Sequence, residues 1–140
     1  MLEKKFVEKK LEEISRYLGE LEPVLQLSHK EFKASYKDMR TAERDFQLIV
    51  DAAVDINTHV LLSLGLPPPE KNYDSFVLLG KHSVLSEKIA KELAPSAGLR
   101  NKLVHEYDEI DPECLYQSLK IFAKRYKEYG RLVLKYMEKR

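Results

Sequence analysis

Toward the end of the chain, Leu115, Leu119, Phe122, Tyr126, Tyr129, Val133 and Tyr136 recur at alternating spacings of four and three. That repeat keeps one apolar seam on a single helical face, and a seam this long must be covered by other helices. Ahead of it stand Asp111, Pro112 and Glu113. They spell a helix start, with the Asp side chain as cap, Pro in the first turn and an acid beside the positive end of the dipole. The seam's first duty is core packing; its tyrosines also leave open a surface for a partner.

The same reading extends upstream. Val7, Leu11, Ile14, Leu18, Leu21 and Leu25 mark an amphipathic first helix that Pro23 brings to its approximate end. Ser28 to Glu31, SHKE, has the spacing of a capping box and predicts a short helix. From about Lys37 to Leu64, the line Phe46, Val50, Ala53, Asn57, Val60 and Leu64 predicts the longest and most central helix. Gly65 and the three prolines behind Leu66 then stop it. The segment DSFVLLG predicts one short helical turn, and SVLSEKIAKEL opens another helix with Ser83 or Ser86 as N-cap. That helix is expected to continue past Pro95 to about Val104. Sustained period-two alternation is absent. The expected fold is therefore all-α: an antiparallel four-helix bundle with one or two additional short helices.

Composition bounds the function. One domain spanning residues 1–140 suits the length of 140 residues. A single cysteine, Cys114, excludes an internal disulfide and suits a reducing cytoplasm. No apolar run reaches the roughly 20 residues a membrane helix needs, and the charged opening MLEKKFVEKKLEE lacks a signal peptide's apolar block. A soluble cytoplasmic protein without membrane association is the expectation. The net charge of +1 argues against indiscriminate attraction to nucleic acid. It is unevenly spread: residues 111–140 carry eight Lys or Arg against four Asp or Glu. This basic last helix is either a solvated face matching the helix dipole or a contact for phosphates.

The run RNKLVHEYDEIDPE, beginning at Arg100, holds an arginine, an asparagine, a histidine and a tyrosine within eight positions. Leu93, Ala97, Arg100 and Val104 share a helical face, so a charge interrupts an apolar stripe and calls for a partner or a purpose. Arg100 and His105 are five residues apart, about 140° around an ideal helix. They converge only if the helix ends near His105, if the arginine bends across the surface, or if a second subunit supplies a copy. Chemically the pair suits phosphate: histidine exchanges a proton near neutral pH, and arginine offers a permanent fork of donors. The structural alternative has His105 stabilising a helix end and Arg100 paired with an acid such as Asp51 or Asp55.

RNKLVHEYDEID, with its R-x4-H-x-Y pattern, resembles the signature of the HEPN superfamily, specifically its HepT-like branch. ERDFQLIVDAAVDINTHVLLSLGLPPP resembles that family's central helix and following turn, and LAPSAGLRNKLVHEY its third helix. Nearly the whole chain is covered, the first helix being least distinctive. The resemblance implies a homodimeric endoribonuclease toxin with its cleft at the subunit interface, needing no metal and no other cofactor. It implies Arg100 and His105 as catalytic residues, Arg100 stabilising charge on phosphorus and His105 moving protons, with Asn101 orienting the phosphate or the histidine. It further implies Tyr107 as the hydroxyl that a partner nucleotidyltransferase antitoxin adenylylates to silence the nuclease. The competing readings are a nonenzymatic nucleotide-binding or regulatory partner of that transferase, and a degenerate toxin that keeps its dimer but not its chemistry.

Other candidates carry less. His29, His59 and His82 are scattered without metal-ligand spacing, and no glycine-rich phosphate loop is present. Cys114 lies in the first turn of the last helix, where the dipole acts to lower a thiol's pKa, but with no family cysteine to match, its expected role is structural.

Overall fold

The computed structural model describes residues 2–105 and 110–140, and all regular structure among them is helical. Six helices follow in order: α1 (Lys4–Leu25), α2 (His29–Ala34), α3 (Tyr36–Ser63), α4 (Asn72–Lys81), α5 (Glu87–His105) and α6 (Pro112–Glu138). The most extensive packing joins α1 to α3 and α4 to α5. In addition, α3 touches α2, α4 and α5, while α6 closes over α1, α2 and α5.

Local chemistry explains the boundaries. In α1 the helix runs two residues past Pro23 before ending. At α2 the capping box is formed: Ser28 Oγ accepts from the Glu31 amide at 3.1 Å, and Glu31 accepts from the Ser28 amide at 2.9 Å. These bonds hold the Glu31 carboxyl below its ordinary pKa. Ser35 caps α3 through the Asp38 amide at 3.2 Å.

The end of α3 is a reciprocal backbone closure. Leu66 N–H donates to Leu61 and Gly65 N–H to Leu62, with Gly65 at φ 81. Leu64, predicted on the buried line of α3, is the residue that caps it and is 41% exposed.

Two segments differ from the sequence reading. The expected single turn at DSFVLLG is a helix of 10 residues. Its buried face, Ser75, Phe76, Leu79 and Gly80, packs on neighbouring helices and supplies the stability a short segment lacks alone. Gly80 permits the approach of α5, since a Cβ there would stand 2.6 Å from that of Ala90. Ser83, one of two predicted N-caps, instead closes α4: it lies at φ 61, and Val84 N–H reaches back to the Leu79 carbonyl at 3.0 Å. Ser86 is the cap of α5, accepting from the Ile89 amide at 3.2 Å.

The seam of α6 enters the core as its spacing requires. Leu115, Leu119, Tyr126, Tyr129, Val133 and Tyr136 are buried, and the half-buried Phe122 stacks at 5.7 Å from Phe46 of α3. Tyr129 donates to Asn57 Oδ1 at 2.7 Å, Asn57 Nδ2 donates to Ser75 Oγ at 3.0 Å, and Ser75 donates to the Asn72 carbonyl at 2.7 Å. One polar thread therefore ties α6 to α3 and α4. A second joins Tyr126 to Ser96 of α5, their hydroxyls 2.7 Å apart. Burial raises both phenol pKa values, so each stays neutral and can donate.

Asp45, on α3, is a buried acid of a different kind. It is 4% exposed, and its Oδ2 has no hydrogen-bond partner. Burial, reinforced by the facing carboxyl of Glu20 on α1, pushes its pKa up to about 7. The unfolded chain would release that proton near pH ~3.9. Between these values the folded state binds the extra proton, so this residue's contribution to stability declines as pH rises from about 4 to about 7. Asp45→Asn, which keeps a donor toward Glu20, is expected to be more stable than the parent at pH 8 and to show a shallower pH dependence. Urea unfolding at several pH values checks this, and parallel curves for the two proteins would refute it.

Candidate functional site

Three residues of the R-x4-H motif sit on the last two turns of α5, which stays helical through His105. Arg100 turns toward α3. Its Nε donates to Asp51 Oδ1 at 2.8 Å, and its Nη1 donates to Asn101 Oδ1 at 3.3 Å. Of the two acids weighed for this role, the structure selects Asp51. Asp55 is engaged by Lys10 at 3.1 Å, a hydrogen bond that raises the lysine's pKa.

The Arg100–Asp51 pair is open to water, the two side chains being 22% and 38% exposed. A pair so exposed adds at most about 1 kcal/mol to stability. Its larger effect is directional: bonding through Nε holds the guanidinium plane and leaves Nη2 with no acceptor among the described residues.

Asn101 and His105 are both exposed and four residues apart, so they share a face of the helix. Arg100 lies off that face, and helical rotation within one chain does not bring it over His105. The connection runs through Asn101, which touches the guanidinium and stands one turn before the histidine. Tyr107 lies outside the described residues.

What holds α5 in place is a stripe at intervals of four. Glu92 pairs with Arg125 of α6, Ser96 meets Tyr126 of α6, and Arg100 reaches Asp51 of α3. Asp51 also lies close enough to Tyr126 to help raise that phenol's pKa, after burial. Neither Ser96 nor Tyr126 stood out in the sequence as supporting the motif. The available signal was a serine one turn before Arg100, amid Leu93, Ala94 and Ala97.

Other candidates resolve differently. Hydrogen bonding and charge from Asp111 push the exposed Cys114 thiol pKa up, reversing the expected effect of the dipole. Among the described residues no group of three His, Cys, Asp or Glu could hold a metal ion, and no helix is long and apolar enough to cross a membrane.

Comparison with known proteins bears on this geometry. The family model described as "Ribonuclease HepT-like" matches residues 14–131. A protein named tRNA nuclease HepT from Aphanizomenon flos-aquae is 38% identical over 136 residues, covering 97% of this chain and 92% of the relative. The mRNA nuclease HepT of Shewanella oneidensis is 28% identical over 81 residues, 58% of this chain and 61% of its own length. Among solved structures, a tri-AMPylated HEPN toxin of Shewanella oneidensis in complex with its MNT antitoxin superposes with a TM-score of 0.87 at 20% identity, covering 95% of this chain and 99% of that one. That likeness establishes a shared fold.

The ion pair has a consequence that separates orientation from stability. Asp51→Ala, which removes the acceptor, is expected to change the unfolding free energy by no more than about 1 kcal/mol. It should nevertheless free the guanidinium, so that the Arg100 Nε–H signal in a proton–nitrogen spectrum loses its protection from solvent exchange. A protected signal in the variant would show that Asp51 does not hold the arginine.

Proposed function

Because the chain belongs to the HepT-like ribonuclease family, we propose that it is an endoribonuclease toxin acting as a single-domain homodimer in the cytoplasm, opposed by a nucleotidyltransferase antitoxin. The observation that carries this reading is the arrangement of Arg100. Asp51 holds it through Nε, and its Nη1 reaches Asn101, on the face of α5 that also bears His105.

The chemistry follows from those groups. In RNA the 2′-hydroxyl adjoining each phosphodiester is an internal nucleophile, so a metal-bound water is not needed to attack. His105 takes the 2′-hydroxyl proton as the oxygen bonds to phosphorus. The bond from phosphorus to the 5′-oxygen breaks, a proton passes to that leaving oxygen, and a 2′,3′-cyclic phosphate remains. Arg100 places its Nη donors toward the non-bridging oxygens, whose charge grows in the crowded transition state. Asn101 positions the phosphate or the imidazole. Because Arg100 and His105 of one chain diverge on the helix, a two-fold partner that brings a second motif into the same cleft completes the grip.

Silencing acts on the same spot. The Tyr107 hydroxyl attacks the α-phosphorus of ATP held by the antitoxin, pyrophosphate leaves, and an adenylyl group stands two residues from His105. Its bulk and negative charge then occupy the place of the substrate phosphate.

His105→Ala is expected to lower the rate of RNA cleavage by about 10²–10⁴-fold, the usual contribution of a positioned proton-transfer group. Arg100→Lys should fail to restore activity, since a point charge does not reproduce the fork. Gel analysis of RNA incubated with each pure protein reads both, and equal cleavage by His105→Ala and the parent would remove the catalytic assignment. Incubated with its cognate nucleotidyltransferase and ATP, the parent should gain adenylyl mass and Tyr107→Phe should not. Intact-protein mass spectrometry decides the matter, and adenylyl mass on the Phe variant would place the modification elsewhere.

A further inference from the structure

At the far end of α5 from His105, the junction of α4 with α5 and the last turns of α6 enclose a concave pocket of about 500 Å³. Lys81, Lys135, Lys139 and Arg140 line it, and Glu87 is the one acidic side chain among the lining residues. The Arg140 guanidinium lies 4.4 Å above the Tyr136 ring. Lys81, Lys135 and Lys139 take part in no ion pair among the described residues. Four cationic side chains lining a concavity with a single acidic one repel one another and focus a field that draws anions. The excess of positive charge in the last helix is thus gathered in part at one place rather than spread over a solvated face.

A second observation connects the pocket to the motif. Glu87 and His105 are 18 residues apart, five full turns, so they share a face of α5 about 27 Å from end to end. Between them the exposed residues include Lys88, Lys91, Pro95, Gly98 and Lys102. No exposed carboxylate follows Glu87 on this helix, the remaining acid, Glu92, being half-buried against Arg125. The side chains between Lys91 and Lys102 on this face are small, so a ligand lying there meets lysines at both ends and little bulk between.

We propose that this pocket receives a backbone phosphate of the RNA, several nucleotides from the one cleaved beside Arg100 and His105, with the exposed lysines of α5 following the strand between. The inference rests on the ribonuclease reading and extends it to substrate length. At roughly 3.4 Å per stacked nucleotide, the distance corresponds to about eight residues of RNA. Cations repeated along one line suit a ligand whose charge is itself repeated, whereas a mononucleotide would reach only one end.

The test uses the full chain and a fluorescently labelled 16-nucleotide 2′-O-methyl RNA, whose modified 2′-oxygens cannot attack. Lys135→Ala combined with Lys139→Ala is expected to weaken binding about tenfold at low salt. The plot of log affinity against log salt should become shallower by about 1.4, from two phosphate contacts on a single strand. Lys30→Ala combined with Lys33→Ala, an equal change of charge on α2, should shift affinity less than twofold. Equal losses from the two pairs, or no loss from the first, would overturn the proposal and leave the pocket to another ligand such as an acidic protein surface. Because the probe cannot be cut, the outcomes separate. Pocket-specific binding by a protein that cleaves no RNA would remove the nuclease reading alone, and active cleavage with unchanged binding by the Lys135/Lys139 variant would remove the pocket alone.

Discussion

Two tyrosine hydroxyls on α6, buried without access to water, set the register of this molecule. A buried donor left without an acceptor costs about 1–3 kcal/mol, a large part of the net stability of a domain this size. Tyr129 therefore requires the acceptors that α3 offers, Asn57 Oδ1 and the Ala53 carbonyl, and Tyr126 requires Ser96. Apolar contacts alone would let α6 rotate or slide by a fraction of a turn at modest cost, because one aliphatic surface resembles another. The two hydroxyls remove that freedom. With Ser96 fixed against Tyr126, Arg100 one turn later is carried to the edge of α3 where Asp51 waits. The site inherits its geometry from the core.

Three acids on α3 show how position decides the role of one residue type. Asp45 is enclosed opposite Glu20 and keeps its proton up to about pH 7. Asp51, six residues on, stays half-exposed and aims a guanidinium; Asp55, one turn further, faces the first helix and pairs with Lys10. Only the middle acid lies beside α5. A half-exposed pair contributes little to folding, so its effect lies in holding one rotamer of a long side chain whose disorder would otherwise blunt the fork.

The long helices were legible because their repeats are long. Seven seam positions in α6 and six in α1 leave one geometry that can cover them. The extent of α4 was not legible: it starts at Lys71 with no side-chain cap, and it holds together through Asn57 and the close approach of Ala90 to Gly80, both distant in sequence. Ser83 misled because serine before an apolar run reads as an N-cap, whereas here it takes the left-handed position glycine usually fills. For Cys114, the general effect of the dipole pointed one way and the adjacent Asp111 decided the other. At the motif, the need for an acid beside Arg100 was readable, but Asp51 and Asp55 share a helical face. Only the packing of α5 against α3 distinguishes them.

On the ribonuclease reading, the lysines that favour RNA also make its inhibition effective. The adenylyl phosphate on Tyr107 would add negative charge to a stretch where Arg100, Lys102 and His105 precede the tyrosine and Glu106, Asp108 and Glu109 flank it in sequence, so the cations it would engage are those upstream on α5. A guanidinium whose Nε is already committed to Asp51 has its Nη edge left to offer, and on that reading a phosphate attached to the chain would compete for it at an effective concentration that free RNA does not match. Substrate and modification would then compete for the same donors. The tighter such a surface holds a scissile phosphate, the more completely one attached nucleotide would displace it, so on this reading strong RNA recognition and strong silencing would arise from a single arrangement of charge.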